Sequence, residues 1–287
     1  MPWNWRHKDW PQLRWDQGAL AKAEALFAEQ AGVLIGASEH FEDSAGQSFA
    51  IQLMTSEAYD SSAIEGELLD RESVQASIKR RLGLSAPRKA APAEAGIAEL
   101  MVDVYRNMTS PIDETRLFAW HAMVMNGRRD IGAVGCYRTH EEPMQIVSGP
   151  LHDPIVHFEA PPSQRVPMEM ARLFAWLEQS APSGPTPTPT LARAGLAHLW
   201  FESIHPFEDG NGRLGRALSE LLLAQGLNRP VLSGLSGALL RRQKQYYRAL
   251  EEASSTLEVT NWLLWFAAAA IEAQRRTEAQ LAFVLDK

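Results

Sequence analysis

The chain has 287 residues, 45% of them hydrophobic, which is enough to bury the core of one large or two small domains. Its formal net charge of −7 at pH 7 disfavours broad binding to nucleic acid or to anionic membranes. A single cysteine, Cys136, excludes an internal disulfide framework and a cysteine-based zinc cluster, and no apolar run reaches membrane-spanning length. The first ten residues also lack the apolar core of a signal peptide, so we expect a cytoplasmic protein.

The N-terminal part predicts tryptophan-rich, helical structure. Four of the nine tryptophans fall within the first fifteen residues. Such an arm can be an exposed binding surface, but packing against a core is the favoured interpretation. Apolar residues then recur at helical spacing around residues 20–27, 49–54 and 74–82, which predicts three helices.

The next segment predicts a loop and two helices. Residues 86–92, with two prolines, are typical of a linker or loop. Helices are expected over residues 95–108 and 113–125, and Asp113 is a suitable N-cap for the second. His121 lies on that helix among apolar residues, where a packed structural histidine is the favoured interpretation over a metal ligand.

Residues 127–167 are rich in glycine, proline and β-branched residues. Residues 144–147 are a short strand candidate, residues 148–150 a turn, and residues 155–158 the return strand. This pattern predicts a β-hairpin; the alternative is a surface loop without a role.

The C-terminal half predicts helices again. A stiff, proline-rich loop is expected at residues 180–189. Helices are expected to follow it at residues 191–203, 214–227 and 259–273, and residues 236–250 contain a Gln-Lys-Gln-Tyr-Tyr run. The chain ends inside an uncapped helical pattern, so we expect either a shortened form of a longer protein or a naturally shorter relative.

Residues 205–216, HPFEDGNGRLGR, carry most of the chemical information. The Gly-Asn-Gly turn frees backbone N–H groups to face an anion, and the following helix adds its positive dipole end. Two arginines three positions apart share a face at this end, where the dipole disfavours cations, and a bound polyphosphate would remove that conflict. Asp209 is a hard oxygen ligand of the kind Mg²⁺ takes beside phosphate, and His205 can act as a base near neutral pH. The alternative is plain turn chemistry, with a His-Pro pair ending one helix and a glycine turn starting the next.

This run resembles the signature of the Fic family, His-Pro-Phe-x-(Asp/Glu)-Gly-Asn-Gly-Arg-x-x-Arg, and matches it at every defined position. The resemblance implies an all-α fold with a small β-hairpin flap, and transfer of AMP from ATP to a hydroxyl side chain of a protein target. It makes His205 the catalytic base, Asp209 the Mg²⁺ ligand and Phe207 the anchor of the loop. It also implies an ATP-phosphate site made of Gly210, Asn211, Gly212, Arg213 and Arg216.

A second motif lies upstream, at residues 61–66, SSAIEG. It resembles the inhibitory pattern of the family, (Ser/Thr)-x-x-x-Glu-(Gly/Asn), with Ser61, Glu65 and Gly66 at the defined positions. In inhibited members the glutamate pairs with the second signature arginine, here Arg216, because a carboxylate and the γ-phosphate compete for one guanidinium. The alternative is an ordinary helix end, with a solvated Glu65 and Gly66 as the residue that stops the helix.

The resemblance also assigns the flap and the adenosine contact. The flap is where the backbone of the target docks by strand addition, and it corresponds to Ile146, Val147, Ser148 and Gly149. Tyr246 belongs to a tyrosine pair that the family places near the adenosine, where it would stack on the base. Ser254 stands where the family often has asparagine.

We therefore expect a Trp-rich helical domain at residues 1–85, which resembles the short domain preceding Fic domains in many bacterial proteins and carries the inhibitory motif. A Fic domain is expected at residues 93–273, with its flap near residues 137–160, and a C-terminal helix at residues 274–287. The expected function is protein adenylyltransferase, inhibited by Glu65, with ATP and Mg²⁺ as cofactors. The expected partner is a protein with a Ser, Thr or Tyr hydroxyl, and a homodimer is compatible with the family.

Three alternatives stay open. The protein could remove AMP from a target, with Glu65 orienting a water molecule. It could transfer another nucleotide or a phosphoryl group, although kinase-like members carry lysine where this chain has Gly212. It could also be a non-enzymatic regulator that binds a target with its site kept shut.

Overall fold

A computed structural model describes residues 3–39, 43–149, 155–229 and 233–285. In these residues the fold is all-α apart from one β-hairpin, which confirms the predicted fold class. The helices are α1 Gln17–Glu39, α2 Asp43–Ile64, α3 Arg71–Arg81, α4 Pro92–Arg106, α5 Glu114–Val124, α6 Val166–Gln179, α7 Thr190–Ile204, α8 Asn211–Leu227, α9 Leu235–Arg241, α10 Gln243–Ala253 and α11 Thr260–Leu285. The antiparallel strands are β1 Gln145–Ser148 and β2 Ile155–Glu159, with a bulge between Ile146 and Val147. Part of the predicted turn between them, Pro150, lies outside the described residues.

The last predicted helix differs from the observed one. Before it, residues 236–250 belong to two helices, α9 and α10, which are separated because Arg242 leaves the helical region, with φ −119° and ψ 29°. The last helix continues past residue 273 because its buried face continues: Thr277 donates to the carbonyl of Ser233 at 2.9 Å, and Leu281 is only 3% exposed. The expected boundary between residues 273 and 274 therefore falls inside one helix.

Helices α7 and α8 form the centre of the molecule. Almost every position of α7 is buried, and small residues let its neighbours approach closely. A Cβ on Gly195, for example, would lie 2.8 Å from the side chain of Leu263 in α11. The loop joining α7 to α8, which carries most of the signature, is therefore held between two packed helices.

The N-terminal segment packs against this core, as its tryptophans predicted. Trp5 and Trp10 are each 7% exposed. The indole of Trp5 donates to the carbonyl of Glu159 at 2.6 Å, and that of Trp10 donates to Glu169 at 2.9 Å. The arm is therefore part of the support for the hairpin and for α6 rather than an exposed surface.

The C-terminal end of α2 reaches the start of α8. Helix α2 packs against α3, α4, α8 and α9 and ends at Ile64. Gly66 adopts φ +78°, which terminates the helix and turns the chain. This places residues 65–67 beside the N-terminus of α8. Among the described residues, every helix falls short of the length and apolarity needed to cross a membrane.

Candidate active site

The backbone of His205 is held in an uncommon conformation. Helix α7 closes with the N–H of His205 donating to Phe201 at 2.9 Å, and His205 itself is left-handed, with φ 50° and ψ 63°. A residue other than glycine in this region costs on the order of 1 kcal/mol or more and needs support from its surroundings. Arg138, which is 1% exposed, supplies that support by donating from Nε to the carbonyl of His205 at 2.8 Å. The backbone of His205, and with it the point from which its side chain extends, is therefore fixed by the packed structure.

The middle of the signature loop is stapled to the core. Phe207 is fully buried and stacks on His121 with ring centroids 4.0 Å apart, so His121 is confirmed as a packed structural residue. The amide of Asn211 accepts from the N–H of Phe207 at 3.0 Å and donates to its carbonyl at 2.8 Å. Gly210 follows with φ +83°, where a Cβ would come 2.8 Å from Met125. Because its side chain is used inside the loop, Asn211 has only its backbone N–H left for a ligand.

Arg216 is paired with the residues of the inhibitory pattern. Its side chain is 1% exposed, and Nη2 lies 2.8 Å from Glu65 Oε1. It also donates from Nε to Ser61 Oγ at 3.0 Å and from Nη2 to the carbonyl of Ser61 at 2.8 Å. Burial acts to lower the pKa of Arg216, but Glu65, Tyr246 and Glu202 together outweigh it and the pKa is raised.

Gly212 makes room for this pair. A Cβ at Gly212 would lie 2.2 Å from Glu65 Oε1 and 3.0 Å from Arg216 Nη1. A glycine inside a helix costs about 1 kcal/mol relative to alanine, so close approach of the carboxylate is a physical reason for its presence.

Arg213 is paired with an acid that the sequence pattern does not include. Its Nη1 lies 2.6 Å from Glu67 Oε2, and its side chain is 6% exposed. Glu67 is held in place because its N–H donates to the carbonyl of Ser62 at 3.0 Å. The signal available in the sequence was a second carboxylate two positions after Glu65, across a glycine. Both arginines of the signature therefore have a carboxylate partner from one short segment.

Asp209 lies at the outer edge of the site, with its side chain 41% exposed. Burial acts to raise the pKa of Asp209, but the hydrogen bond from Arg128 and other contacts outweigh it and the pKa is lowered. Arg128 Nη1 lies 2.7 Å from Asp209 Oδ2. One ionised, accessible carboxylate beside an anion site fits Mg²⁺, which takes one or two carboxylates plus phosphate oxygens and water. The described residues contain no cluster of three or more His, Cys, Asp or Glu side chains that would bind a metal ion by themselves.

A cavity of about 680 Å³ is lined by Glu65, His205, Gly212 and Arg216. Residues of the hairpin, of α7 and of α10 line it as well, whereas Asp209 and Arg213 are not among its described lining residues. Its volume lies within the range of about 300–1,000 Å³ that is common for small-molecule sites. A nucleotide therefore fits the cavity in size.

The structure places Tyr246 differently from the expectation of a stacking platform. Its side chain is 1% exposed, its hydroxyl contacts His198 Nε2 at 2.7 Å, and its ring lies between Tyr247 and Trp265. Both tyrosines line the cavity, and Tyr247, which is 44% exposed, offers the more accessible ring. In the sequence, Tyr247 was marked only by its position next to Tyr246. Ser254 also lines the cavity.

The flap residues lie at the rim of the cavity. Ile146 and Val147 are 43% and 50% exposed, and Ser148 Oγ lies 2.6 Å from His157 Nε2. Gly149 has φ +89°, which starts the turn. Exposed apolar residues on a short two-stranded sheet are the form of surface that strand addition uses.

The charge state of His205 follows from its surroundings. Burial, with a contribution from Arg138, lowers the pKa of His205 to about 4, so the imidazole is neutral at pH 7. Glu202, one helical turn earlier, was not singled out by sequence reasoning. Its Oε2 lies 3.8 Å from His205 Nδ1, and burial raises its pKa to about 8.

The chain is similar to known proteins in sequence and in fold. Residues 3–84 match the domain of unknown function DUF4172, and residues 111–223 match the Fic/DOC family. A probable protein adenylyltransferase of Aquifex aeolicus is 32% identical over 96 residues, which cover 33% of this chain and 26% of that protein. A Fic family protein from Desulfovibrio desulfuricans G20 has a similar structure, with 28% identity and a TM-score of 0.66 over 90% of this chain and 74% of that chain. A Fic domain containing signaling protein from Bacteroides thetaiotaomicron shares the fold, with 15% identity and a TM-score of 0.64 over 91% of this chain and 98% of that one.

The chain is therefore a Fic family protein with an N-terminal DUF4172 domain. The inhibitory pattern at residues 61–66 lies within the DUF4172 match, and the signature at residues 205–216 lies within the Fic/DOC match. The contact between Glu65 and Arg216 consequently joins the two matched regions.

Proposed function

We propose that this protein transfers AMP from ATP to a Ser, Thr or Tyr hydroxyl of a protein target, and that Glu65 keeps it in an inhibited state. One observation carries the proposal: a neutral imidazole and a buried guanidinium, at the N-terminus of a helix, converge on one nucleotide-sized cavity. The family supports a Fic-type transferase, and the partial similarity to a probable protein adenylyltransferase favours AMP as the group transferred.

The residues suit an in-line displacement at phosphorus. The target oxygen attacks the α-phosphorus, the bond from that phosphorus to the bridging oxygen breaks, and pyrophosphate leaves. Because Nδ1 of His205 is buried, Nε2 is the nitrogen that accepts the hydroxyl proton. The backbone N–H groups of residues 210–212 stabilise the charge that develops on the α-phosphate.

The two arginines of the signature bind the β- and γ-phosphates in this proposal. Arg216 and Arg213 each present a guanidinium with little exposure to water, where pairing with an oxyanion is strong. Asp209 would hold Mg²⁺, which neutralises phosphate charge when bound. Arg128 has to release Asp209 Oδ2 for that to occur, since the two are ion-paired.

Inhibition follows from competition for Arg216. Glu65 occupies the guanidinium that the γ-phosphate needs, so ATP binds with its phosphates displaced and the α-phosphorus out of line. For the base, Tyr247 replaces Tyr246 as the proposed stacking partner, since it is the exposed ring of the pair. For the target, residues 146–149 of the flap are the proposed docking edge.

The test is protein labelling with ATP that carries ³²P at the α position. We expect label on protein with Glu65→Gly and none with Glu65→Gly/His205→Ala, while the parent labels weakly. Glu178→Gln, an exposed acid at the end of α6, is the matched control and should behave like the parent. Label from γ-labelled ATP would instead indicate phosphoryl transfer, and no label with any variant and a lysate of candidate targets would favour a non-enzymatic regulator.

Removal of AMP is the second candidate, because Glu65 lines the same cavity as His205 and is 32% exposed. A carboxylate in that position can orient a water molecule towards a phosphorus. The assay is release of AMP from protein first labelled by the Glu65→Gly variant. Faster release by the parent than by Glu65→Gly would support this activity.

A further inference from the structure

Glu202 is a buried carboxyl group beside the base. It lies in the last turn of α7, three positions before His205, and the left-handed backbone of His205 leaves the two side chains 3.8 Å apart. Its side chain lines the cavity and is only 12% exposed. Helix α8 makes room for it, because a Cβ on Gly215 would lie 2.4 Å from Glu202 Oε1. Like Gly212 for Glu65, this helix glycine is explained by the close approach of a carboxyl group.

Glu202 and His205 each have a buried polar atom that lacks a partner. Among the described residues, neither Oε1 of Glu202 nor Nδ1 of His205 has a hydrogen-bond partner of normal geometry, and Oε2 of Glu202 lies 3.8 Å from that Nδ1. The backbone of Glu202 also faces His205 and acts to raise its pKa. A buried polar atom without a well-formed hydrogen bond is energetically unfavourable, so such atoms usually have a function or find a partner in another state. A shift of about 1 Å would bring the carboxyl within hydrogen-bond distance of Nδ1.

The charged and titratable groups around Glu202 explain why its carboxyl group does not form a hydrogen bond with His205 Nδ1 in this structure. The groups that face it are Arg216 of α8, Glu65 at the end of α2, His198 and His205 on its own helix, and Tyr246 and Tyr247 of α10. Burial raises the pKa of Glu202 to about 8, Arg216 opposes this, and Glu65 adds to it. At neutral pH the group is therefore mostly protonated while Glu65 is in place, and a neutral carboxyl is a weak acceptor for an imidazole N–H.

We propose that Glu202 is a positioning residue for His205: its carboxylate accepts a hydrogen bond from Nδ1–H and holds Nε2 towards the attacking hydroxyl. The contact forms in the nucleotide-free protein when Glu65 leaves Arg216, because Arg216 then favours ionisation of Glu202 without the opposing charge of Glu65. Glu65 accordingly acts twice, on the phosphate site and on the base. This inference rests on the proposed function in so far as His205 is the base.

The kinetic test uses the Glu65→Gly background with Glu202→Gln, Glu202→Asp and the control Glu178→Gln. For Glu202→Gln we expect kcat for AMP transfer to fall about 10- to 100-fold with KM for ATP within about twofold, since the base is misdirected and the nucleotide is not. We also expect kcat/KM for ATP of Glu65→Gly, whose pH dependence reports the nucleotide-free enzyme, to rise with pH through a midpoint below 8, and Glu202→Gln to remove that rise. Glu202→Asp keeps a carboxylate and should restore the pH dependence at a reduced rate, which a merely structural side chain would not do.

A second measurement does not depend on activity. NMR spectra of ¹⁵N-histidine-labelled protein provide it, and the His205 signals are assigned by their loss in His205→Ala. In Glu65→Gly, the Nδ1–H proton of His205 should have the chemical shift of a strong hydrogen bond. Glu202→Gln should abolish that signal while circular dichroism and Tm confirm folding. Unchanged His205 signals, or a double variant with the kcat and pH profile of Glu65→Gly, would overturn the inference. Absence of labelling by Glu65→Gly itself would instead overturn the proposed function, and the NMR result would still decide the role of Glu202.

Discussion

Replacement of Glu65 by glycine should strengthen the binding of MgATP and leave the binding of AMP unchanged. The carboxylate lies 2.8 Å from Nη2 of Arg216, and in the proposed complex the γ-phosphate binds the same guanidinium. AMP has no phosphate that reaches this arginine, so its affinity reports the rest of the site. The change in MgATP affinity relative to the change in AMP affinity therefore measures the competition between Glu65 and the γ-phosphate.

The size of the effect follows from the burial of the two partners. Exposed ion pairs contribute about 0–1 kcal/mol, and breaking a fully buried pair costs about 3–5 kcal/mol. Here Arg216 is 1% exposed and Glu65 is 32% exposed, which places the pair between these limits, at about 2 kcal/mol. That free energy corresponds to a decrease of about 30-fold in the Kd for MgATP.

Isothermal titration calorimetry with His205→Ala as the common background measures this without turnover. MgATP and AMP are titrated into the His205→Ala protein and into the Glu65→Gly/His205→Ala protein. An equal decrease in Kd for both nucleotides would mean that the substitution opens the cavity in general. An unchanged Kd for MgATP would mean that Glu65 does not compete for Arg216. Either result refutes the reasoning.

Three further predictions use other residues. Glu67→Gln should lower the Kd for MgATP about fivefold by removing about 1 kcal/mol of competition at the first signature arginine, whereas Glu72→Gln, an exposed acid on α3, should leave it unchanged in the same titration. Tyr247→Ala should raise the Kd for AMP about tenfold through loss of base stacking, and an unchanged Kd would remove Tyr247 from the adenine site. Burial lowers the pKa of His121 to about 4, so its unfolded form gains a proton below about 6.5 and its folded form only below about 4. The free energy of unfolding in urea should therefore fall as pH drops from 6.5 to 4, and His121→Phe, which keeps a ring against Phe207, should reduce that fall.

Most of the residues that shape the signature loop are close to one another in the sequence. The signature loop could be predicted because its residues act on one another within twelve positions: His205 ends one helix, Gly210 takes φ +83°, and Asn211 staples the loop to Phe207. The hairpin and the N-cap of Asp113 follow from equally short-range rules.

Long-range packing decided the rest. Glu67 and Arg213 are 146 positions apart, and no periodicity or spacing links them; they meet only because α2 ends beside the start of α8. Tyr246 and Tyr247 are neighbours in sequence and both line the cavity, yet helix α10 buries the first ring and leaves the second exposed. The amino-acid sequence alone thus determined the fold class and the signature, because these depend on contacts between near neighbours. Which acid lies on which arginine, and whether Glu202 carries a proton, depend on burial, which exists only once distant helices are packed together.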